Sequence, residues 1–116
     1  MKNILRLEET MQFGLAIYLS YQLPYAAWLY WALFLTPDIS MLGYAINTRV
    51  GSITYNAFHH KGLAIALYLA GIYIHSTALA FAGLLLFGHS SFDRVLGYGL
   101  KYADNFKHTH LGWIGK

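Results

Sequence analysis

The chain has 116 residues, of which 57% are apolar and only 11% charged, with eight Lys or Arg against five Asp or Glu and a net charge of +3. Ordinary soluble domains carry roughly 25% charged residues, and a domain this small has a large surface to cover, so the composition points to a bilayer as its solvent. The absence of cysteine excludes disulfides, Cys-ligated zinc, iron–sulfur clusters and a thiol nucleophile, and the scattering of single basic residues argues against nucleic acid as a partner.

Two long uncharged runs define the predicted elements. Thr10 to Pro37 contains no Asp, Glu, Lys or Arg, and neither does Gly62 to Phe92. Each run exceeds the ~20 residues that span a bilayer core. Each is also interrupted near its middle, by Tyr21-Gln22-Leu23-Pro24 and by His75-Ser76-Thr77, so each predicts a pair of helices. The expected fold is all-α: a polytopic membrane protein, one transmembrane domain over residues 1–116, with four transmembrane helices in a bundle. In chain order the helices fall at about 5–23, 25–46, 52–74 and 77–98, followed by a tail over 99–116. Continuous rather than alternating apolar residues exclude a membrane barrel.

Charge in the loops sets the expected orientation. Lys2, Arg6, Arg49, Arg94, Lys101, Lys107 and Lys116 all fall at one end of these helices, which places both termini in the cytoplasm, with Lys61 as the exception. Glu8 and Glu9 interrupt the first apolar segment, against a signal peptide. No internal repeat suggests an inverted-repeat transporter. Tyr25, Trp28, Tyr30 and Trp31 are expected as an outer aromatic belt. Gly97-Tyr98-Gly99 reads as a helix stop, and the amphipathic Trp113-Ile114 suggests that the tail lies on the cytoplasmic interface.

Titratable groups at membrane depth cost ~2.5–3.5 kcal/mol each, so each asks for a partner or a purpose. Asp38 lies nine residues before Asn47, His59 seven after Ser52, and His89 nine before Tyr98. At 1.5 Å per residue, three helices thus bring a carboxylate and two imidazoles to one level, ~10–14 Å from the same end. Glu8 or Glu9 and Asp93 fall about one turn nearer that end. His89 and Asp93, four apart, share a helix face, as do Tyr55 with His59 and Asn56 with His60. A mixed imidazole and carboxylate set suits a divalent metal such as zinc, manganese, iron or nickel better than copper(I). Simpler roles stay open at this stage. Asp38 can answer backbone groups freed by Pro37, His59 and His60 can bond between helices, Asp93 can pair with Arg94, and Glu8 or Glu9 can face a helix dipole. His108 and His110, two apart, share a face only in an extended segment.

These residues also carry a resemblance. Leu5-Arg6-Leu7-Glu8, Pro37-Asp38-Ile39-Ser40-Met41-Leu42-Gly43-Tyr44, Gly51 with Tyr55-Asn56-Ala57-Phe58-His59, the run His89-Ser90-Ser91-Phe92-Asp93-Arg94-Val95-Leu96-Gly97-Tyr98-Gly99-Leu100-Lys101-Tyr102, and Phe106 with Thr109-His110-Leu111-Gly112 span nearly the whole chain. In them the chain resembles a small bacterial integral-membrane family known as domain of unknown function 4260. The resemblance implies a multi-pass protein of the bacterial cytoplasmic (inner) membrane, and it places Glu8 rather than Glu9, and His59 rather than His60, at recurring positions. Asn47-Thr48 departs from the Asn-Pro expected there, which touches only the loop. The family brings no activity.

The functional expectation is therefore a membrane-embedded metal-dependent hydrolase. Asp38, His59, His89 and Asp93 would hold the ion (zinc, manganese or iron), Glu8 would act as general base, and Arg94 or His110 would neutralise an anionic substrate such as a lipid phosphate. The alternatives are a proton-coupled small transporter or channel, in which the same groups form a relay, and a structural membrane scaffold without chemistry. Membrane lipids are the expected partners, and four short helices suit assembly into a homo-oligomer.

Overall fold

Helix α1 (Lys2–Tyr21) ends where the N–H groups of Gln22 and Leu23 turn back onto its last carbonyls, just ahead of Pro24. A computed structural model describes residues 1–105 and 107–114. After α1 come a six-residue α2 (Ala27–Ala32), a 3-10 helix (Thr36–Ala45), α3 (Thr48–His59), α4 (Lys61–Tyr73) and α5 (Thr77–Val95). The tail forms a hairpin of two-residue strands, β1 (His108–Thr109) and β2 (Gly112–Trp113), paired antiparallel with His108 opposite Trp113. Phe106 and Lys116, used in the motif and in the loop charges, lie outside the described residues.

The helical class stands, but the four-transmembrane-helix bundle does not form. No described helix is long and apolar enough to cross a membrane. The element expected at 25–46 is a short α-helix and then a 3-10 segment, and the one expected at 52–74 is two helices. Pro37 explains the first break: it lacks an N–H and biases Thr36 away from α geometry, so the chain tightens into i to i+3 bonding such as Asp38 N–H to Leu35 O at 3.1 Å. His60 explains the second. Its backbone is extended (φ −82°, ψ 114°) and its ring accepts the Leu63 N–H, so it closes α3 and caps the start of α4. The 13 residues of α4 then rise only about 20 Å, against a bilayer core of about 30 Å. Charge shortens the apolar length of the remaining two, with Lys2, Arg6, Glu8 and Glu9 on α1 and Asp93 and Arg94 on α5.

Helix α5 is the centre of the fold, packed between α4 and α1, while α3 packs on the 3-10 helix. Small residues on α5 allow these approaches. Gly83 lies against the α4 backbone at Ala64 and Tyr68, and Gly88 lies against Tyr30 and Ala16. Tyr30 is only 1% exposed and donates its hydroxyl to Leu84 O at 2.9 Å, in a core shared with Phe34, Phe81, Leu84 and Leu85. Tyr30 therefore does not join the expected aromatic belt: it is the heart of the core, whereas Trp28 and Trp31 are exposed. Burial pushes the Tyr30 phenol above its ordinary range, so it stays a donor.

Both ends of α5 are set by local chemistry. Ser76 caps its start by accepting the Leu79 N–H. At its end Tyr98 N–H reaches Asp93 O and Gly97 N–H reaches Arg94 O, with Gly97 at φ +94°, the left-handed closure expected from the glycine there. The tail is then clamped to α3 by Asn56, whose amide donates to Lys101 O (2.7 Å) and accepts from Lys101 N–H (2.6 Å). This brings the tail hairpin beside the C-terminal ends of α3 and α5.

Candidate metal centre

Four side chains from three elements meet at one point. Asp38 comes from the first turn of the 3-10 helix, His59 from the last residue of α3, and His89 and Asp93 from successive turns of α5. One donor atom from each lies within 4.8 Å of the others. Asp38 Oδ1 is 3.3 Å from His59 Nε2 and 3.0 Å from His89 Nε2. Asp93 Oδ2 is 3.3 Å from His59 Nε2 and 3.5 Å from His89 Nε2.

The orientation of the two rings carries the chemistry. His89 Nδ1 faces Phe34 O at 2.8 Å and His59 Nδ1 faces Tyr55 O at 2.9 Å. A carbonyl oxygen only accepts, so Nδ1 bears the proton in both rings, and in each neutral ring the Nε2 lone pair points at the two carboxylates. Lone pairs facing carboxylate oxygens repel unless a cation lies between them: a proton on Nε2 or a metal. His59 Nε2 sits 3.3 Å from two carboxylate oxygens yet makes no hydrogen bond with usable geometry, although the side chain is only 3% exposed. An ion about 2.0–2.1 Å from each donor would set tetrahedral donors about 3.3 Å apart and octahedral neighbours about 2.9 Å apart. The two His59 spacings of 3.3 Å and the His89–Asp38 spacing of 3.0 Å fall in that interval, and the His89–Asp93 spacing of 3.5 Å lies just beyond it. The cluster could therefore hold a metal ion.

Surrounding groups fix the donors. The Tyr55 ring stacks on His59 at 3.8 Å with 8° between planes, and its hydroxyl donates to Asp93 Oδ2 at 3.4 Å. Burial first, then Asp93 and Asp38, push the Tyr55 phenol up, which keeps that proton in place. Phe34 packs its ring on His89 while its carbonyl orients it. Lys101 is 5% exposed with its ammonium 4.6 Å from the centre of the Tyr55 ring, and burial lowers its pKa. Exposure is uneven: the His59 and His89 side chains are 3% and 1% exposed, Asp93 14%, and Asp38 33%, so the cluster opens to its surroundings at Asp38.

Not every expected residue arrives. Glu8 is exposed on α1 and makes no hydrogen bond or ion pair among the described residues; its neighbour Glu9 instead receives both its oxygens' contacts from Lys61 at 2.7 Å. Arg94 does not pair with Asp93. Its guanidinium donates to His59 O at 3.4 Å, the free carbonyl at the end of α3, and burial lowers its pKa. His110 sits in the tail, where Nδ1 accepts the Leu100 N–H at 2.8 Å, and burial followed by the nearby Arg94 charge lowers its pKa. His60 is the exposed cap described above. Tyr55 was visible in the sequence only as a spacing with His59, and the Phe34 carbonyl had no side-chain signal at all.

The electrostatics give a pH prediction for protein stripped of metal by a chelator. Burial pushes the Asp93 carboxyl up, but the His59 and His89 imidazoles outweigh it and hold its pKa at about 2. Burial pushes His89 down, but Asp93 and then Asp38 outweigh that and leave it raised. A depressed carboxyl stabilises the fold above its ordinary range, and that contribution is lost as pH falls toward about 2. A raised imidazole stabilises the fold below about 6.5, and that contribution is lost as pH rises through its raised value. Chelated protein should therefore lose stability as pH rises above about 6.5, whereas a metal ion, which needs the Nε2 lone pairs, should add stability over the same window. Unfolding midpoints with and without chelator check this, and parallel curves would refute it.

No curated protein and no solved structure matches the chain. The model of the family described as Domain of unknown function (DUF4260) matches residues 2–114, nearly the whole length and all four cluster residues, and the chain belongs to that family.

Proposed function

We propose that the protein is a metalloprotein that holds one divalent cation between Asp38, His59, His89 and Asp93, and that the centre does hydrolytic chemistry at its Asp38 edge. The observation that carries the reading is the pair of buried imidazoles, each with Nδ1 committed to a backbone carbonyl and Nε2 aimed at the same two carboxylate oxygens. Outer partners of this kind are what metal-ligating histidines use to fix tautomer and direction. Two carboxylates balance a divalent charge, and two nitrogens with two oxygens favour zinc, manganese or iron. Closure on three sides with Asp38 one-third exposed leaves a side where a substrate can reach the ion. A bound ion would supply Lewis-acid polarisation of an ester or phosphoester oxygen. The chain's own residues do the positioning: Phe34 O and Tyr55 O aim the imidazoles, the Tyr55 hydroxyl holds Asp93, and Arg94 holds the carbonyl end of α3. Glu8 has no part in this site.

Elemental analysis of purified protein tests the first half. One ion per chain is expected, with dialysis against a chelator lowering the unfolding midpoint and zinc, manganese or iron restoring it. A ligand at about 1,000 times its Kd adds about 4 kcal/mol, so the shift is large enough to see. A metal-free isolate whose midpoint none of the three ions moves refutes the metal centre. Aryl ester and aryl phosphate probes test the second half: turnover only in the loaded protein supports hydrolysis, and a loaded but inert protein removes it while leaving the metal site standing.

A further inference from the structure

A second site lies on the other side of Arg94. Residues 2, 5, 6 and 9 follow the i, i+3, i+4, i+7 pattern and therefore form one stripe of α1, and this stripe faces the end of α5 and the tail hairpin across a cleft of about 450 Å³. That volume is within the roughly 300–1,000 Å³ typical of small-molecule sites. None of the four cluster residues lines it.

Its charge is uneven. Lys2, Arg6 and Arg94 supply three cations, and the only acidic side chain lining it, Glu9, is already neutralised by both contacts from Lys61. Among the described residues neither Lys2 nor Arg6 enters an ion pair. Arg94, partly buried and anchored on His59 O, is held in place rather than free to fold into solvent. The lining also includes apolar side chains, Leu5, Leu96 and Trp113. A lining that carries both cations and aliphatic and aromatic surface suits a ligand with both characters.

We propose that this cleft binds an anionic head, phosphate or carboxylate, carried on an apolar chain, with Arg6 and Arg94 on the head and Leu5, Leu96 and Trp113 against the chain. Arg6 and Arg94 both line the cleft, and a guanidinium favours oxyanions because it can donate two parallel N–H groups. The proposal does not depend on the metal centre: the cleft shares none of its four ligands, and Arg94, which also holds the His59 carbonyl, is the link between the two.

Decyl phosphate, below its micellar concentration, is the probe, with inorganic phosphate and decanol as the half-ligands. Binding to chelated full-length protein should be saturable and tighter than either half-ligand by at least about tenfold, and Arg6→Gln should weaken it by about tenfold. Arg6 is an exposed residue that anchors nothing in the fold, so the variant keeps its unfolding midpoint; Arg94→Gln, which also frees a helix carbonyl, is the second variant and should weaken binding further. Sedimentation with vesicles of neutral lipid, with and without phosphatidic acid, identifies the source. Arg6-dependent capture by the acidic vesicles assigns the head to a bilayer lipid, and decyl phosphate binding without capture assigns it to a free amphiphile. Equal affinity for decyl phosphate and decanol, or an affinity unmoved by Arg6→Gln and Arg94→Gln, overturns the proposal.

Discussion

Replacing His89 with Ala is expected to reduce divalent-metal affinity by more than about a hundredfold, because loss of a mere outer partner of a ligand already costs about 10–100-fold and this change removes a ligand itself. His89 meets Asp38 at 3.0 Å and Asp93 at 3.5 Å, so without it two carboxylates are left with a single imidazole. Because the alanine also opens a cavity beside Phe34, Asp93→Asn is the cleaner partner variant: it keeps shape and volume but removes the charge that balances the ion. Two controls separate the site from its surroundings. His60→Ala removes the cap that accepts the Leu63 N–H and should cost about 1 kcal/mol of stability with metal affinity unchanged. Glu8→Gln, on an exposed face of α1, should change neither. Titration calorimetry on the four variants decides it; wild-type affinity in both His89→Ala and Asp93→Asn would end the case for this ligand set.

The second large effect concerns the packing that holds α5 in place. A Cβ at position 88 would collide with the Tyr30 hydroxyl and press on Ala16 Cβ, while Tyr30 is fixed by burial and by its bond to Leu84 O. Overpacking of this kind costs about 1–3 kcal/mol, and displacing the phenol adds about 1 kcal/mol for its hydrogen bond. Gly88→Ala should therefore lower the unfolding midpoint by roughly 5–15 °C. Since Gly88 immediately precedes His89, it should also weaken metal binding by moving the ring from Phe34 O. Tyr30→Phe makes room at the point of collision, so the double variant should be less destabilised than the two single changes added together. Simple additivity in thermal unfolding would show that the collision is relieved elsewhere.

The four cluster residues were legible even though the architecture around them was not, and the reason is geometric. The expectation compared distances along helices from a shared end, and such a comparison survives when the helices shorten. Asp38 is seven residues before the end of the 3-10 helix at Ala45, about 14 Å at 2.0 Å per residue. His59 is eleven residues after the start of α3 at Thr48, about 16 Å at 1.5 Å per residue. The turn at Ile46 and Asn47 folds these two lengths against each other, so the residues meet. The i, i+4 spacing of His89 and Asp93 then needed only a helix. Glu8 failed because its helix presents the neighbouring Glu9 to Lys61. A difference of one residue turns a side chain by 100°, and the choice of face depends on what packs opposite.

By itself the sequence determined the helical class, the left-handed stop at Gly97, the absence of thiol chemistry and the shared face of His89 and Asp93, because each depends on interactions within a few residues. Tertiary structure alone decided that Tyr30 is core, that Arg94 turns to His59 O rather than Asp93, and that the tail is pinned by Asn56, while the breaks at residues 33–35 and at His60 are local effects of Pro37 and the His60 cap. A hydropathy run sums apolar character but is blind to a change of backbone direction within it. Low charge content predicts spanning helices; the apolar surface is instead spread over exposed side chains such as Leu7, Met11, Leu15, Trp28 and Leu69 on helices too short or too polar to span. Composition fixes how much apolar surface the chain carries, and only the packing of α5 between α1 and α4 fixes where that surface goes.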